Sequence, residues 1–167
     1  MHNLTAEQII QTLQLEQHPE GGYFRETYRS SEHFKPNDHS NAFPSDRPYS
    51  TAIYYLLKKD QMSKFHRIRS DEIWHFHAGS PATIHIIHPD SLYEARYLGP
   101  DIQNGQYFQH AVPAQSWFGV TIDEPGSFML ASCTVSPGFD FKDFEMADAY
   151  RLRQAFPEHR AIIEKLT

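Results

Sequence analysis

The sequence predicts an all-β fold, a sandwich or barrel with small helices at both ends. Three observations carry that prediction. Between Ser50 and Ser136, short runs rich in β-branched and aromatic residues recur at intervals of roughly ten residues. Turn signals separate them: Lys59-Asp60, Ser70-Asp71, Gly79-Ser80-Pro81, Pro89-Asp90, Gly99-Pro100, Asn104-Gly105 and Glu124-Pro125-Gly126. Helical signals are confined to the two ends. No internal repeat and no linker interrupts the chain, so residues 1–167 read as one domain.

The N-terminal helix announces itself by its cap. Thr5 followed by Gln8 is a capping box, and Leu4 with Ile9 fits the accompanying hydrophobic staple. Ile9, Ile10 and Leu13 supply an apolar stripe, and His18-Pro19-Glu20-Gly21-Gly22 stops the helix and turns the chain. Tyr23 to Arg29 reads as a strand with large side chains on both faces. Residues 31–49 are dense in Pro, Asn, Asp and Ser; a loop this long is either a functional element or a solvated connection. Strands are expected over 50–57, 64–69, 72–78, 82–88, 92–98, 106–112, 116–121 and 126–135. Met146 to Ala155 is a helix, and Pro157 opens another with Ile162, Ile163 and Leu166 on one face.

Composition narrows the function classes. Fifteen Lys and Arg against twenty-one Asp and Glu leave a net charge of −6, which argues against nucleic acid or an anionic membrane as partner. No apolar run approaches the roughly 18–20 residues that span a bilayer, and Met1 to Gln17 lacks the basic and apolar regions of a signal peptide. A reducing cytoplasm is therefore the expected compartment. The single Cys133 excludes an internal disulfide and a Cys-rich metal site; set among Met129, Leu130, Ala131 and Val135, it reads as a small buried side chain. Eleven scattered histidines are the one oddity.

The stretch from Phe65 to Gly79 is the most informative. Alternation puts His66 and Ile68 on one strand face; after the turn, Glu72, Trp74 and Phe76 share a face, with His75 and His77 opposite. If both inward faces line one cavity, His66 and Glu72 converge. A histidine beside a carboxylate is the minimum equipment for general acid–base work, or half of a metal site.

These residues carry a resemblance to the cupin superfamily. His66, Glu72 and Gly79 match its first motif, G-x5-H-x-H-x3-E-x6-G, and Pro113-Ala114-Gln115-Ser116-Trp117-Phe118 falls at its second, P-x-G-x2-H. More narrowly, His18-Pro19-Glu20-Gly21-Gly22-Tyr23-Phe24-Arg25-Glu26-Thr27-Tyr28-Arg29, Ser70-Asp71-Glu72-Ile73-Trp74-His75-Phe76 and Pro137-Gly138-Phe139-Asp140-Phe141 resemble an uncharacterised cupin family labelled predicted sugar epimerases. The resemblance implies a cupin double-stranded β-helix, or jelly roll, paired as a homodimer. Metal-binding cupins hold the ion with three histidines and a glutamate; here Ile68 and Phe118 stand at two of those positions, so no metal and no cofactor is expected.

The expected cavity holds Trp74, Phe76, Trp117 and Phe118 around His66 and Glu72. The strand 23–29 adds Tyr23, Arg25 and Arg29, or alternatively Glu26 and Tyr28, depending on register. Aromatic walls suit a sugar's apolar face or a planar base, and Arg25 or Arg29 would fork onto a phosphate or carboxylate. Asp140 joins the site from beyond the last strand; Asp143 either caps the C-terminal helix or orients His66. The expected ligand is a small sugar-like or nucleotide-like metabolite. Similarity to jelly-roll deoxysugar-nucleotide epimerases implies His66 as base and Tyr54, Tyr55 or Tyr107 as acid. Non-catalytic binding and a metal-dependent cupin with a rearranged site are the alternatives.

Overall fold

The computed structural model describes residues 4–36, 43–122 and 128–167; the turn at 124–126 and part of the 31–49 loop lie outside them. In chain order the elements are α1 (Ala6–Leu13), β1 (Glu16–Gln17), β2 (Tyr23–Arg29), β3 (His33–Phe34), β4 (Arg47–Pro48), β5 (Thr51–Lys58), β6 (Met62–Arg67), β7 (Asp71–Gly79), β8 (Ala82–Ile87), β9 (Tyr93–Leu98), β10 (Gln109–Val112), β11 (Trp117–Ile122), β12 (Phe128–Ser136), β13 (Glu145–Met146), α2 (Ala149–Ala155) and α3 (Arg160–Leu166). Two antiparallel sheets, ordered β1-β2-β5-β12-β7-β10 and β13-β6-β11-β8-β9, face one another. Their facing side chains interlock into one core: Leu57, Trp74 and Met129 from the larger sheet meet Ile84, Ile86, Phe118 and Val120 from the smaller. The all-β jelly roll with helices at both ends is what the alternating pattern predicted.

Local chemistry explains the ends. The capping box forms as read: Gln8 N–H donates to Thr5 Oγ1 and Thr5 N–H to Gln8 Oε1. Leu4 stays 55% exposed, so no staple accompanies it. Helix α1 stops at Leu13 because Gln14 turns left-handed at φ 54°, ahead of the expected stop at His18-Pro19. At the other end, Met146 pairs as β13, and the helix begins only after Asp148, whose side chain accepts from Arg151 N–H.

Helices α2 and α3 cover the outer face of the smaller sheet, where Leu152, Ile163 and Leu166 pack on Phe65, Ile87 and Trp117. All six residues of β8 are consequently buried. Helix α1 does the same for the larger sheet through Ala6 and Ile9, which pack with Leu56 and Phe128.

The inner space is not filled throughout. Where β2, the 18–22 turn, β6 and the segment after β12 meet, a cavity of about 350 Å³ is left.

Candidate functional site

The 18–22 turn that was read as a helix stop supplies the first group of the cavity. Gly21 and Gly22 adopt φ of 114° and 72°, and a Cβ at Gly21 would collide with the Met62 carbonyl. Two glycines thus let the turn lie against β6, where Lys64 N–H donates to the Glu20 carbonyl at 2.9 Å. The Glu20 side chain is driven inward and left 5% exposed.

Inside, Glu20 meets His66. Glu20 Oε2 is 3.1 Å from His66 Nε2 and 3.3 Å from His18 Nδ1, and Ser63 Oγ donates to Oε1 at 2.9 Å. His66 Nδ1 lies 2.7 Å from the Lys64 carbonyl, which only accepts, so Nδ1 carries a hydrogen. Nε2 faces the Glu20 carboxylate, so both ring nitrogens are engaged by protein groups and neither is left for a ligand. Burial alone would raise the Glu20 pKa, but His66, His18 and Ser63 hold it below the usual carboxylate range. Burial lowers that of His66, with Glu20 and the Lys64 carbonyl opposing.

Glu72 is the contrasting carboxyl. It lines the same cavity at 7% exposure, and the titratable groups that face it are Glu20 and the Cys133 thiol. Burial pushes its pKa up to about 8, and the Glu20 charge adds to the rise. Cys133 reads as expected, 1% exposed with its thiol raised by burial and by Glu72. Beside it on β7, the Trp74 indole is 1% exposed and its Nε1–H has no hydrogen-bond partner among the described residues. A buried donor without a partner costs about 1–3 kcal/mol. Such a group in a cavity wall is one that an incoming acceptor would satisfy.

The mouth is built by β2 and by the segment 138–144. The expected alternation of β2 fails at a bulge: Glu26 pairs with Ile53 and Tyr28 with Ala52, leaving Thr27 extra. Phe24, Glu26 and Arg29 consequently line the cavity together, a combination neither register offered. Arg29 gives its Nε and Nη2 to Glu26 at 2.9 and 2.6 Å and its Nη1 to the Phe139 carbonyl at 3.1 Å. Its fork is already occupied. Asp140 also lines the mouth, and it accepts from Lys142 N–H.

Phe139, Phe141 and Phe144 close the aromatic wall, with Phe144 5.3 Å from the His66 ring. Their segment is clamped from beneath. Asp143 neither caps α2 nor touches His66; it takes a two-pronged bond from the fully buried Arg47, at 2.6 and 2.7 Å.

The remaining expected residues go elsewhere. Tyr23 packs on the α1 side, with Lys58 5.4 Å over its ring, and Arg25 Nη1 donates to the Leu13 carbonyl outside the sheet. Phe76 packs against the main core, and Phe118 lies behind His66 at 4.1 Å between rings. Trp117 faces outward, under Arg67. These positions are corrections with two causes: Tyr23, Arg25 and Trp117 lie on the outer faces of the sheets, and Phe76 and Phe118 point inward where the interior is solid. Among the three tyrosines, Tyr55 lines it, and its hydroxyl donates to the Gly21 carbonyl at 2.7 Å; Tyr54 belongs to the α1-side cluster and Tyr107 is 55% exposed. Sequence reading missed His18, Glu20 and Phe24. The available signal was a His and a Glu inside a glycine turn, where solvated loops seldom need buried charge.

The donor set does not fit the four-ligand metal of metal-binding cupins. Ile68 lines the cavity and Phe118 is fully buried, so two of the four positions are hydrocarbon. Among the described residues, no group of three or more His, Cys, Asp or Glu is arranged to hold an ion.

With fold and site in view, the comparisons with known proteins can be read. The chain belongs to the cupin superfamily (DUF985), whose family model matches residues 7–147. It is 36% identical over 148 residues to the uncharacterized protein YML079W of Saccharomyces cerevisiae, covering 83% of this chain and 73% of that one. The crystal structure of protein SO0799 from Shewanella oneidensis superposes with a TM-score of 0.88 at 38% identity, over 98% of both chains. A hypothetical protein from Leishmania major gives 0.88 at 35% identity, over 98% of this chain and 99% of that one. Among the described residues, no helix is long and apolar enough to cross a membrane.

Proposed function

We propose that this cupin binds a small sugar-like carbonyl compound in its cavity and isomerises or epimerises it by moving one proton, with Glu72 as the base. The observation that carries the reading is the pair of buried carboxyls with opposite environments. Glu20 is fixed as the ionised one by His66, His18 and Ser63, while burial, with the Glu20 charge adding to it, brings the proton affinity of Glu72 close to working pH. His66 thereby acts as a positioning residue for Glu20, since both its nitrogens are engaged.

In the proposed step, Glu72 takes a proton from the carbon beside the ligand carbonyl. The C–H bond breaks and its electron pair forms the C=C bond of an enolate, whose oxygen accepts from Trp74 Nε1–H. For an α-hydroxy carbonyl compound, the hydroxyl proton passes to the enolate oxygen, its own C–O becomes the new C=O, and Glu72 returns its proton to the former carbonyl carbon, which isomerises the compound. Reprotonation of the original carbon from the opposite face by solvent at the mouth, with Glu72 giving its proton up to solvent, epimerises it. No outside oxidant or reductant is needed. A nucleotide ligand is disfavoured, because Arg29 has spent its fork on Glu26. The homodimer implied by the family belongs to the same reading; light scattering is expected to give twice 19.4 kDa, and the monomer mass would contradict it.

The test is solvent deuterium incorporation into a panel of keto-sugars and small ketones. Wild type is expected to exchange, at a rate rising up to tenfold per pH unit until about pH 8. Glu72→Gln should lose roughly a hundredfold or more, and Trp74→Phe about tenfold. Exchange that survives Glu72→Gln contradicts the assignment. Ligand retention without any exchange supports the non-catalytic alternative.

A further inference from the structure

The charges around the cavity say more about the ligand than its shape does. Glu72 is a buried carboxyl with no cation among the groups that shift it: β12 brings Cys133 and Val135 beside it, β10 brings Val112, and Glu20 approaches already bonded to His66 and His18. Elsewhere, Arg29 is committed to Glu26, and Asp140 at the mouth lies within the fields of Arg29 and Arg47. Most of the remaining wall is aromatic, with Phe24, Phe139, Phe141 and Phe144 joining Trp74 and Tyr55, and Thr51, Ile53, Ile68 and Val135 complete it. A buried carboxyl with no cation beside it, set among aromatic rings, is the chemistry that holds an ammonium ion, by charge and by attraction to ring faces. An anion would meet no free cation here.

We propose that the ligand carries an organic ammonium group, seated against Glu72 and the aromatic wall, with an oxygen on the Trp74 indole N–H. This rests on the cavity being the ligand site and assigns that ligand a charge. A volume of about 350 Å³ suits a molecule of modest size. Arrival of the cation ionises Glu72, so binding releases a proton below about pH 8. The charged ligand would then itself produce the base-competent form of the site.

The experiment is isothermal titration of the full chain at pH 7 with three isosteres: choline, the uncharged 3,3-dimethylbutan-1-ol and the anionic 3,3-dimethylbutanoate. Choline is expected to bind saturably and at least tenfold tighter than the alcohol, releasing close to one proton, as measured in buffers of different ionisation heat. The butanoate is expected not to bind. Glu72→Gln should erase the preference, weakening choline tenfold or more and leaving the alcohol within twofold. Phe141→Leu, at a half-exposed position that the core does not need, should weaken choline at least threefold. Alcohol or butanoate binding as tightly as choline overturns the charge assignment and leaves the ligand site standing. Absence of binding by all three overturns the ammonium; if the deuterium exchange is absent as well, the site reading falls with it.

Discussion

Two buried histidines on one sheet show how differently the fold uses the same side chain. His66 on β6 and His85 on β8 flank β11, where Phe118 pairs with the first and Gly119 with the second. That one-residue step puts them on opposite faces. His85 lies under the C-terminal helices, bonded to Tyr93 Oη at 2.7 Å and Thr121 Oγ1 at 3.0 Å. Hydroxyls donate or accept as required, so this ring stays neutral, and burial lowers its pKa to about 4. His66 instead faces a carboxylate, whose charge opposes the lowering that burial imposes on the ring. Burial is similar at the two sites; the partner decides whether the imidazole is packing or part of a charged device.

The contrast has measurable consequences, and the largest expected effect lies on the cavity side. With Glu72 near 8 in the fold against an ordinary value of 4.5, the unfolded chain loses this proton first as pH rises. The fold therefore loses stability between about pH 4.5 and 8, by an upper limit of about 5 kcal/mol. Glu72→Gln should remove that loss and melt higher than wild type at pH 8 in a denaturant titration; no gain would break the account of this carboxyl. Next in size, Arg47→Ala leaves Asp143 buried beneath the Phe139–Phe144 segment with Arg69 at 3.4 Å. It should cost about 3–5 kcal/mol in chemical unfolding.

On the helix-covered side the sign reverses. His85 titrates at about 4 when folded and near 6.5 when unfolded, so its contribution is present above pH 6.5 and disappears as pH falls towards 4, about 3 kcal/mol in all. His85→Gln should flatten the acid arm of the stability profile without changing ligand binding. Smallest is Tyr93→Phe, which removes one hydroxyl from His85 and should cost about 1 kcal/mol with deuterium exchange unchanged.

The sequence made the fold readable because β7 and β12 alternate between buried and more open positions, and Gly, Pro, Asn or Asp marks most of the turns between core strands. Strand β2 was expected at Tyr23–Arg29 and occurs there, and β8 was expected from the β-branched run that both sheet faces now bury. The candidate site was readable only in part. His66, Glu72 and Trp74 followed from alternation on β6 and β7, and they share the cavity. Glu20 did not follow, because a turn's inward side chain is set by where the glycines let the backbone approach. The β2 bulge was equally hidden: one extra residue, Thr27, changes the parity of Arg29 and nothing local signals it. Arg47 and Asp143 lie 96 residues apart, and a loop arginine gives no sign that its partner waits beyond the last strand.

The most direct test is a carboxyl-carbon NMR titration of the full chain labelled at glutamate, with Glu20→Gln and Glu72→Gln used for assignment. One buried resonance, Glu72, is expected to titrate near 8, and a second, Glu20, to stay ionised below the ordinary carboxylate range. Glu72 titrating with the exposed glutamates, or Glu20 holding its proton at neutral pH, would contradict the division of labour between the two carboxyls.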